Sequence, residues 1–173
     1  MVLMIPERGL VLLIGAAGSG KSTFARKHFN ATEIVSSDAL RAAVSDDESD
    51  QSASADAFEL LRSIATKRLS RGRLTVIDAT NVQRTARRSL VALAARNSAP
   101  TAAIVLNLPL EACLARNRSR PARPVGPEVV EKQVADLVAS LPELKTEGFK
   151  NVYIIDNTMD IDSAAVLRQP TDV

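Results

Sequence analysis

Three glycines punctuate the stretch Gly15-Ala-Ala-Gly18-Ser19-Gly20-Lys21-Ser22, which fits the pattern G-x-x-x-x-G-K-[ST]. Glycine at these places permits positive φ and close backbone approach, so successive N–H groups can wrap a phosphate. A helix beginning at Lys21 would add the partial positive charge of its N-terminus. In this pattern the lysine reaches the β- and γ-phosphates and the Ser22 hydroxyl ligates Mg²⁺ (or Mn²⁺). Gly15, Gly18, Ser19, Gly20, Lys21, Ser22 and Thr23 are therefore the candidate contacts for ATP or another nucleoside triphosphate.

The fate of the γ-phosphate is read from the other polar groups. Leu74-Thr-Val-Ile-Asp78 ends in an aspartate able to hold the metal directly or through water. Ala79 follows it, where an ATPase motor or switch would often carry a water-positioning Glu. A guanine-reading N-K-x-D is missing too, since Asn157-Thr-Met-Asp160 lacks the lysine. Transfer to an alcohol is the better reading. Asp38, just past the apolar run Ile34-Val35, would lie on the sheet edge that carries the P-loop and act as general base, although the same position suits a helix N-cap. Arg41 shares its helical face, either holding a phosphate of the acceptor or simply pairing with Asp38. Arg116, Arg120 and Arg123 have i, i+4, i+7 spacing up to Pro121, and prolines follow. The segment 116–127 reads as a lid that closes over the triphosphate and supplies an arginine finger from Arg116 or Arg120. The plainer alternative is a solvated helix end before a Pro-rich turn.

Behind these residues stands a pattern of alternating elements. Leu10–Ile14, Glu33–Ser36, Leu74–Ile77, Ala102–Leu106 and Val152–Ile155 read as strands, the last of them closing the series. Helices are expected over Lys21–Asn30, from Asp38, over Asp56–Arg71, Gln83–Asn97 and Leu110–Asn117, and from Pro127, whose Val130, Val134, Leu137 and Val138 should face inward. The acidic stretch from Ser45 to Ala55 reads as a surface loop. Strands alternating with helices imply parallel crossovers and a three-layer α/β/α sandwich, here a P-loop kinase fold with an Arg-rich lid. One domain over 1–173 is expected, since no linker divides the chain.

Composition closes off other chemistries. A single cysteine, Cys113, permits no internal disulfide, and a single histidine, His28, rules out zinc sites built on several His and Cys. His28 lies in a basic stretch, which makes it a poor base for a Ser-His-Asp hydrolase. No apolar run near the start is long enough for a signal peptide or membrane span, so a cytoplasmic protein is expected. The net charge of +2 hides an asymmetry: residues 62–123 hold 13 Lys+Arg against 2 Asp+Glu, a charge of +11, which leaves −9 elsewhere. A basic half of this size is the electrostatic footprint of an anionic ligand.

Several of these motifs together carry a resemblance. Leu10 to Ser22, Val35-Ser-Ser-Asp38-Ala-Leu-Arg41, Ser45-Asp-Asp-Glu48 through Gln51, Thr75-Val-Ile-Asp78-Ala-Thr-Asn81-Val and Arg116 to Arg123 resemble the polynucleotide 5′-kinase module of the bacterial polynucleotide kinase-phosphatase that repairs RNA. The resemblance runs over nearly the whole chain. It implies transfer of the γ-phosphate of an NTP, with Mg²⁺, to the 5′-OH end of single-stranded RNA or DNA. It also implies phosphatase and ligase modules in the same polypeptide, with this chain as the N-terminal module. On matching motifs it places Lys21 and Ser22 on the P-loop functions, Asp38 on the base and Arg41 on the acceptor phosphate. Arg116 and Arg120, with Arg123 beside them in the lid motif, fall on the donor phosphates. Asp78 and Asn81 fall in a D-x-T-N element beside the acceptor, where Thr80 and Asn81 could instead cap the next helix.

Aromatics make up only 3% of the chain and none lies near Asp38, Arg41 or the lid in sequence. The terminal base is then expected to pack on aliphatic side chains such as Val125 or Val129, unless these serve the core. Two rivals share the P-loop: a small-molecule kinase acting on a sugar or antibiotic hydroxyl, which needs no Arg41 contact to a phosphate, and a nucleotide-dependent binding module that transfers nothing.

Overall fold

A computed structural model describes residues 1–120 and 125–171. Leu10–Ile14 (β2), every residue of which is buried, forms the centre of a five-stranded sheet. Its neighbours are Thr75–Asp78 (β4) and Thr101–Leu106 (β5), with Ile34–Ser36 (β3) and Asn151–Ile155 (β6) at the edges, in the order β3-β4-β2-β5-β6. All pairs are parallel. Continuous apolar runs suit strands covered on both faces, and the helices supply the cover. Lys21–His28 (α1) and Leu110–Arg118 (α5) pack on one side, with Phe24, Ala25 and Cys113 in the core. Ser54–Ser70 (α3), Arg84–Arg96 (α4) and Pro127–Ser140 (α6) close the other through Leu61, Ala65, Leu90, Leu93 and Leu137. The expected three-layer parallel sandwich is the observed fold.

Register decides what meets at the strand ends. Asp78 pairs with Leu13 on one side and with Ser36 on the other. The turns after β2, β3 and β4 therefore emerge side by side, and β2 is where connections leave toward opposite edges of the sheet, the usual place for a ligand in an open parallel sheet.

Three sequence expectations are corrected. Val152–Ile155 is not the last strand: Ala165–Gln169 (β7) follows and pairs in parallel with Val2–Pro6 (β1) as a separate two-stranded ribbon. Leu3 and Ile5 bury one face of that ribbon, while Tyr153 on β6 accepts from Met4 N (2.9 Å) and donates to Met4 O (2.8 Å). Val138 is 53% exposed, because the stripe through Val130, Val134 and Leu137 leaves it on the outer side of α6. The acidic loop is partly ordered: Asp50 accepts from Ser52 N (2.9 Å) to start a 3-10 turn over Gln51–Ala53, and α3 begins directly after it. Among the described residues no helix is long and apolar enough to cross a membrane.

Candidate active site

Gly18 (φ 81°) and Gly20 (φ 97°) take the left-handed backbone that shapes the P-loop. A Cβ on Gly18 would lie 2.2 Å from Cys113 O, so the loop apex rests directly on the backbone of α5 and tolerates no side chain. Gly15 donates to Thr80 O (2.9 Å), which ties the start of the loop to the turn after β4. Lys21 is folded back on this cradle, donating to Ala16 O (2.8 Å) and to Ser19 Oγ (3.4 Å). Burial lowers its pKa to about 8, with nearby Arg120 pushing the same way and Asp78 and Asp38 opposing. Ser19 is buried, Ser22 half-buried and Thr23 exposed on the first turn of α1.

Asp78 is mostly buried, and burial raises its pKa against the hydrogen bond it accepts from Ser22 and the charge of Lys21. A buried carboxylate near a hydroxyl at the foot of a phosphate loop fits Mg²⁺ chemistry, since hard oxygen donors suit that ion and substrate phosphates can complete its shell. Among the described residues no group of three or more His, Cys, Asp or Glu forms an all-protein metal cage.

Asp38 lies in the first turn of Ser37–Ser45 (α2), and its charge is felt at both Lys21 and Asp78. It is not the N-cap. Ser36 takes that role by accepting from Ala39 N (3.4 Å), which leaves the Asp38 side chain 39% exposed at the strand edge. Its carboxylate forms an ion pair with Arg41, whose Nε also donates to Glu48 O (2.7 Å).

Asn81 and Thr80 do not cap the following helix, whose N-cap is Gln83. Asn81 is buried with φ 49°, a left-handed conformation that asparagine tolerates. It donates to Leu13 O (2.8 Å) and Ala79 O (3.3 Å), and its Oδ1 is buried without a partner. Its amide donors thus stitch β4 to β2. Sequence reasoning missed what holds this turn from behind. Arg87, fully buried, donates to Asn81 O (3.0 Å) and Val82 O (2.8 Å) and forms a two-bond pair with Glu147 at 2.7 and 2.6 Å. The available signal was an arginine on the apolar stripe of α4, one turn before Leu90.

On the other wall, Arg116 Nη1 would meet a Cβ on Gly20 at 3.3 Å, and the charge of Arg120 reaches Lys21. Arg116 thus lies at the phosphate loop, and Arg120 is near enough for its charge to act on Lys21. Arg123 and part of the 116–127 lid fall outside the described residues. The Asn117 side chain donates to Val125 O (2.8 Å) and accepts from Val125 N (3.2 Å), clipping the two ends of that segment together. Val125 also packs against the core. Val129, by contrast, is 40% exposed and lines a groove of about 360 Å³ with Thr80, Val82, Glu128 and Gln133. Gln133, also missed, accepts from Ala17 N (2.8 Å), so α6 grips the P-loop.

A protein-family profile described as AAA domain matches residues 10–144. No curated protein matches by sequence. Among solved structures, a gluconokinase from Sinorhizobium meliloti 1021 superposes with a TM-score of 0.56 at 16% identity, covering 91% of this chain and 87% of that one. A sugar kinase from Janibacter sp. HTCC2649 gives 0.59 at 20% identity over 86% of this chain and 85% of that one. The AvrRxo1-ORF1:AvrRxo1-ORF2 complex with ATP gives 0.66 at 15% identity over 90% of this chain, which spans 56% of the matched one. At these identities the likeness is one of fold.

Proposed function

The chain belongs to the AAA domain family, and from that membership together with its phosphate-loop edge we propose that it is a P-loop kinase carrying the γ-phosphoryl group of a nucleoside triphosphate to an alcohol. The observation that carries this reading is the placement of Asp38 on the same strand edge as Lys21 and Asp78, part-exposed and free of any capping role. Asp38 takes the proton of the acceptor hydroxyl as its oxygen bonds to the γ-phosphorus. The bond from that phosphorus to the β,γ-bridging oxygen breaks, and the nucleoside diphosphate leaves. Lys21, Arg116 and Arg120 hold the charge that spreads over the phosphoryl oxygens, and the loop N–H groups orient the donor. Ser22 and Asp78 would hold Mg²⁺, which would supply positive charge to neutralise the donor phosphates.

For the acceptor we favour the 5′-hydroxyl of a nucleic-acid end. Arg41 is supporting evidence, since a guanidinium beside the base can leave Asp38 for the phosphate next to the reacting hydroxyl. The motif resemblance and the +11 charge of residues 62–123 support the same acceptor. Val129 offers an exposed apolar surface for the terminal base. A second reading has its own support: the solved neighbours named as a gluconokinase and a sugar kinase favour a small-molecule hydroxyl, and the acidic Glu128 and Asp136 in the groove beside Thr80 would suit a polyol. A competition experiment tests the choice. With γ-labelled ATP and Mg²⁺, a 5′-OH oligoribonucleotide and a panel of sugars are offered together. Label on the oligonucleotide alone supports the first acceptor, and label on a sugar alone replaces it with the second.

A further inference from the structure

The positive charge of the chain does not all gather at the phosphate site. On α3 and α4 no carboxylate follows Glu59, whereas Arg62, Lys67, Arg88 and Arg96 are exposed, and Arg71 and Arg73 extend the set just beyond α3. Among the described residues none of these six side chains has an ion-pair partner, unlike Arg84, which pairs with Glu143, and Arg87, which is buried against Glu147. Between the two helices lies a groove of about 250 Å³ whose lining includes Phe58, Arg62, Ser89 and Leu90. Here a half-buried aromatic side chain, Phe58, stands beside one of these cations, Arg62. α2, which carries Asp38, packs on α3, and α3 packs on α4, so the surface is continuous with the acceptor side of the strand edge.

We propose that the outer face of α3 and α4 is a docking surface for single-stranded nucleic acid, distinct from the phosphate-transfer site, with arginines on the backbone phosphates and Phe58 beneath a base. Six unpaired cations give a field that a polyanion complements. Arginine outnumbers lysine five to one among them, and its planar fork suits phosphate. An aromatic side chain next to an arginine, as Phe58 is to Arg62, offers a face on which a base can stack without sequence preference. This proposal goes beyond the acceptor reading, since it concerns how the rest of a strand is held, not which hydroxyl reacts.

The test measures binding of a 3′-fluorescein single-stranded RNA of about 20 nucleotides to the wild type and to the Arg62→Glu, Arg88→Glu double variant over a salt series. Expected is a fall of at least about tenfold in affinity and a salt slope shallower by between one and two, since each phosphate that is no longer neutralised lowers the slope by about 0.7. The Arg62→Gln, Arg88→Gln pair serves if the reversal disturbs folding, which a thermal melt reports, and it should give the same change in slope. Transfer from ATP to a 5′-OH dinucleotide, too short to reach this face, should stay unchanged in both variants. An RNA affinity and salt slope equal to wild type in the folded variants overturns the proposal, as does Arg62-dependent binding to phosphatidylserine vesicles with none to RNA. If the wild type binds RNA through Arg62 and Arg88 yet phosphorylates no 5′-OH end, the docking surface stands and the acceptor reading falls.

Discussion

The Ser22 hydroxyl, on the first turn of α1, acts on the buried Asp78 carboxylate at the end of β4 and lowers its pKa against the effect of burial. The two oxygen donors expected to hold Mg²⁺ thus stand near each other in the fold. Asp78→Asn removes the charge but keeps the shape. It should lower phosphoryl transfer by about 10²-fold or more and raise the Mg²⁺ concentration needed for half-maximal rate, while melting close to wild type. A metal titration at fixed ATP checks this.

Lys21 makes nucleotide affinity depend on pH. Burial holds its pKa at about 8, and bound phosphates would favour the charged form and raise it. The proton is therefore already present below pH 8 and must be taken up on binding above it. Affinity for Mg·ADP should be flat below pH 8 and fall toward tenfold per unit above it, and Lys21→Arg should flatten the fall. Calorimetry across pH 7 to 10 measures the slope. For the nucleotide-free protein the sign is opposite. The folded pKa lies below the ordinary lysine value of 10.5, so this group adds stability as pH rises from about 8 toward 10.5.

Arg116 against Gly20 and the charge of Arg120 felt at Lys21 predict a transition-state role. Arg116→Ala or Arg120→Ala should cut kcat by about 10³-fold or more if either is the arginine finger, with a much smaller effect on nucleotide binding. Steady-state kinetics at saturating ATP separates the two.

The buried pair Arg87–Glu147 should matter through structure first. Glu147→Ala leaves a buried guanidinium with half its partners and should cost about 3–5 kcal/mol of stability in chemical denaturation. Arg87→Lys keeps the charge but loses the fork that reaches Asn81 O and Val82 O, so a lower kcat with intact ADP binding is expected.

The phosphate side was legible in the sequence because glycine spacing, Lys21 and Ser22 form a local motif whose geometry depends on few other residues. Asp38 and Asp78 could be placed because Asp78 ends an apolar strand and Asp38 closely follows one, and parallel strands bring their ends to one edge. Long-range partners were not legible. The pairing of β1 with β7 joins residues far apart in the chain, and short apolar runs near either end do not name their partner. Arg87 owes its burial to a carboxylate from the turn after α6, and Gln133 gains its role only where α6 lies against Ala17, partners that lie 60 and 116 residues away in the chain. The structural task of Asn81 was not legible either: its backbone φ of 49° and its donors to Leu13 and Ala79 depend on how close β2 and β4 run.

The most direct test of Asp38 as the base for transfer to an alcohol is label transfer from γ-labelled ATP to a 5′-OH oligonucleotide. A 5′-phosphate oligonucleotide and Asp38→Asn serve as controls. The account predicts label on the 5′-OH strand only, reduced by about 10²–10⁴ in Asp38→Asn while ADP binding is retained. Equal transfer by Asp38→Asn and the wild type, or label on no hydroxyl with ATP still bound through Lys21, would contradict it.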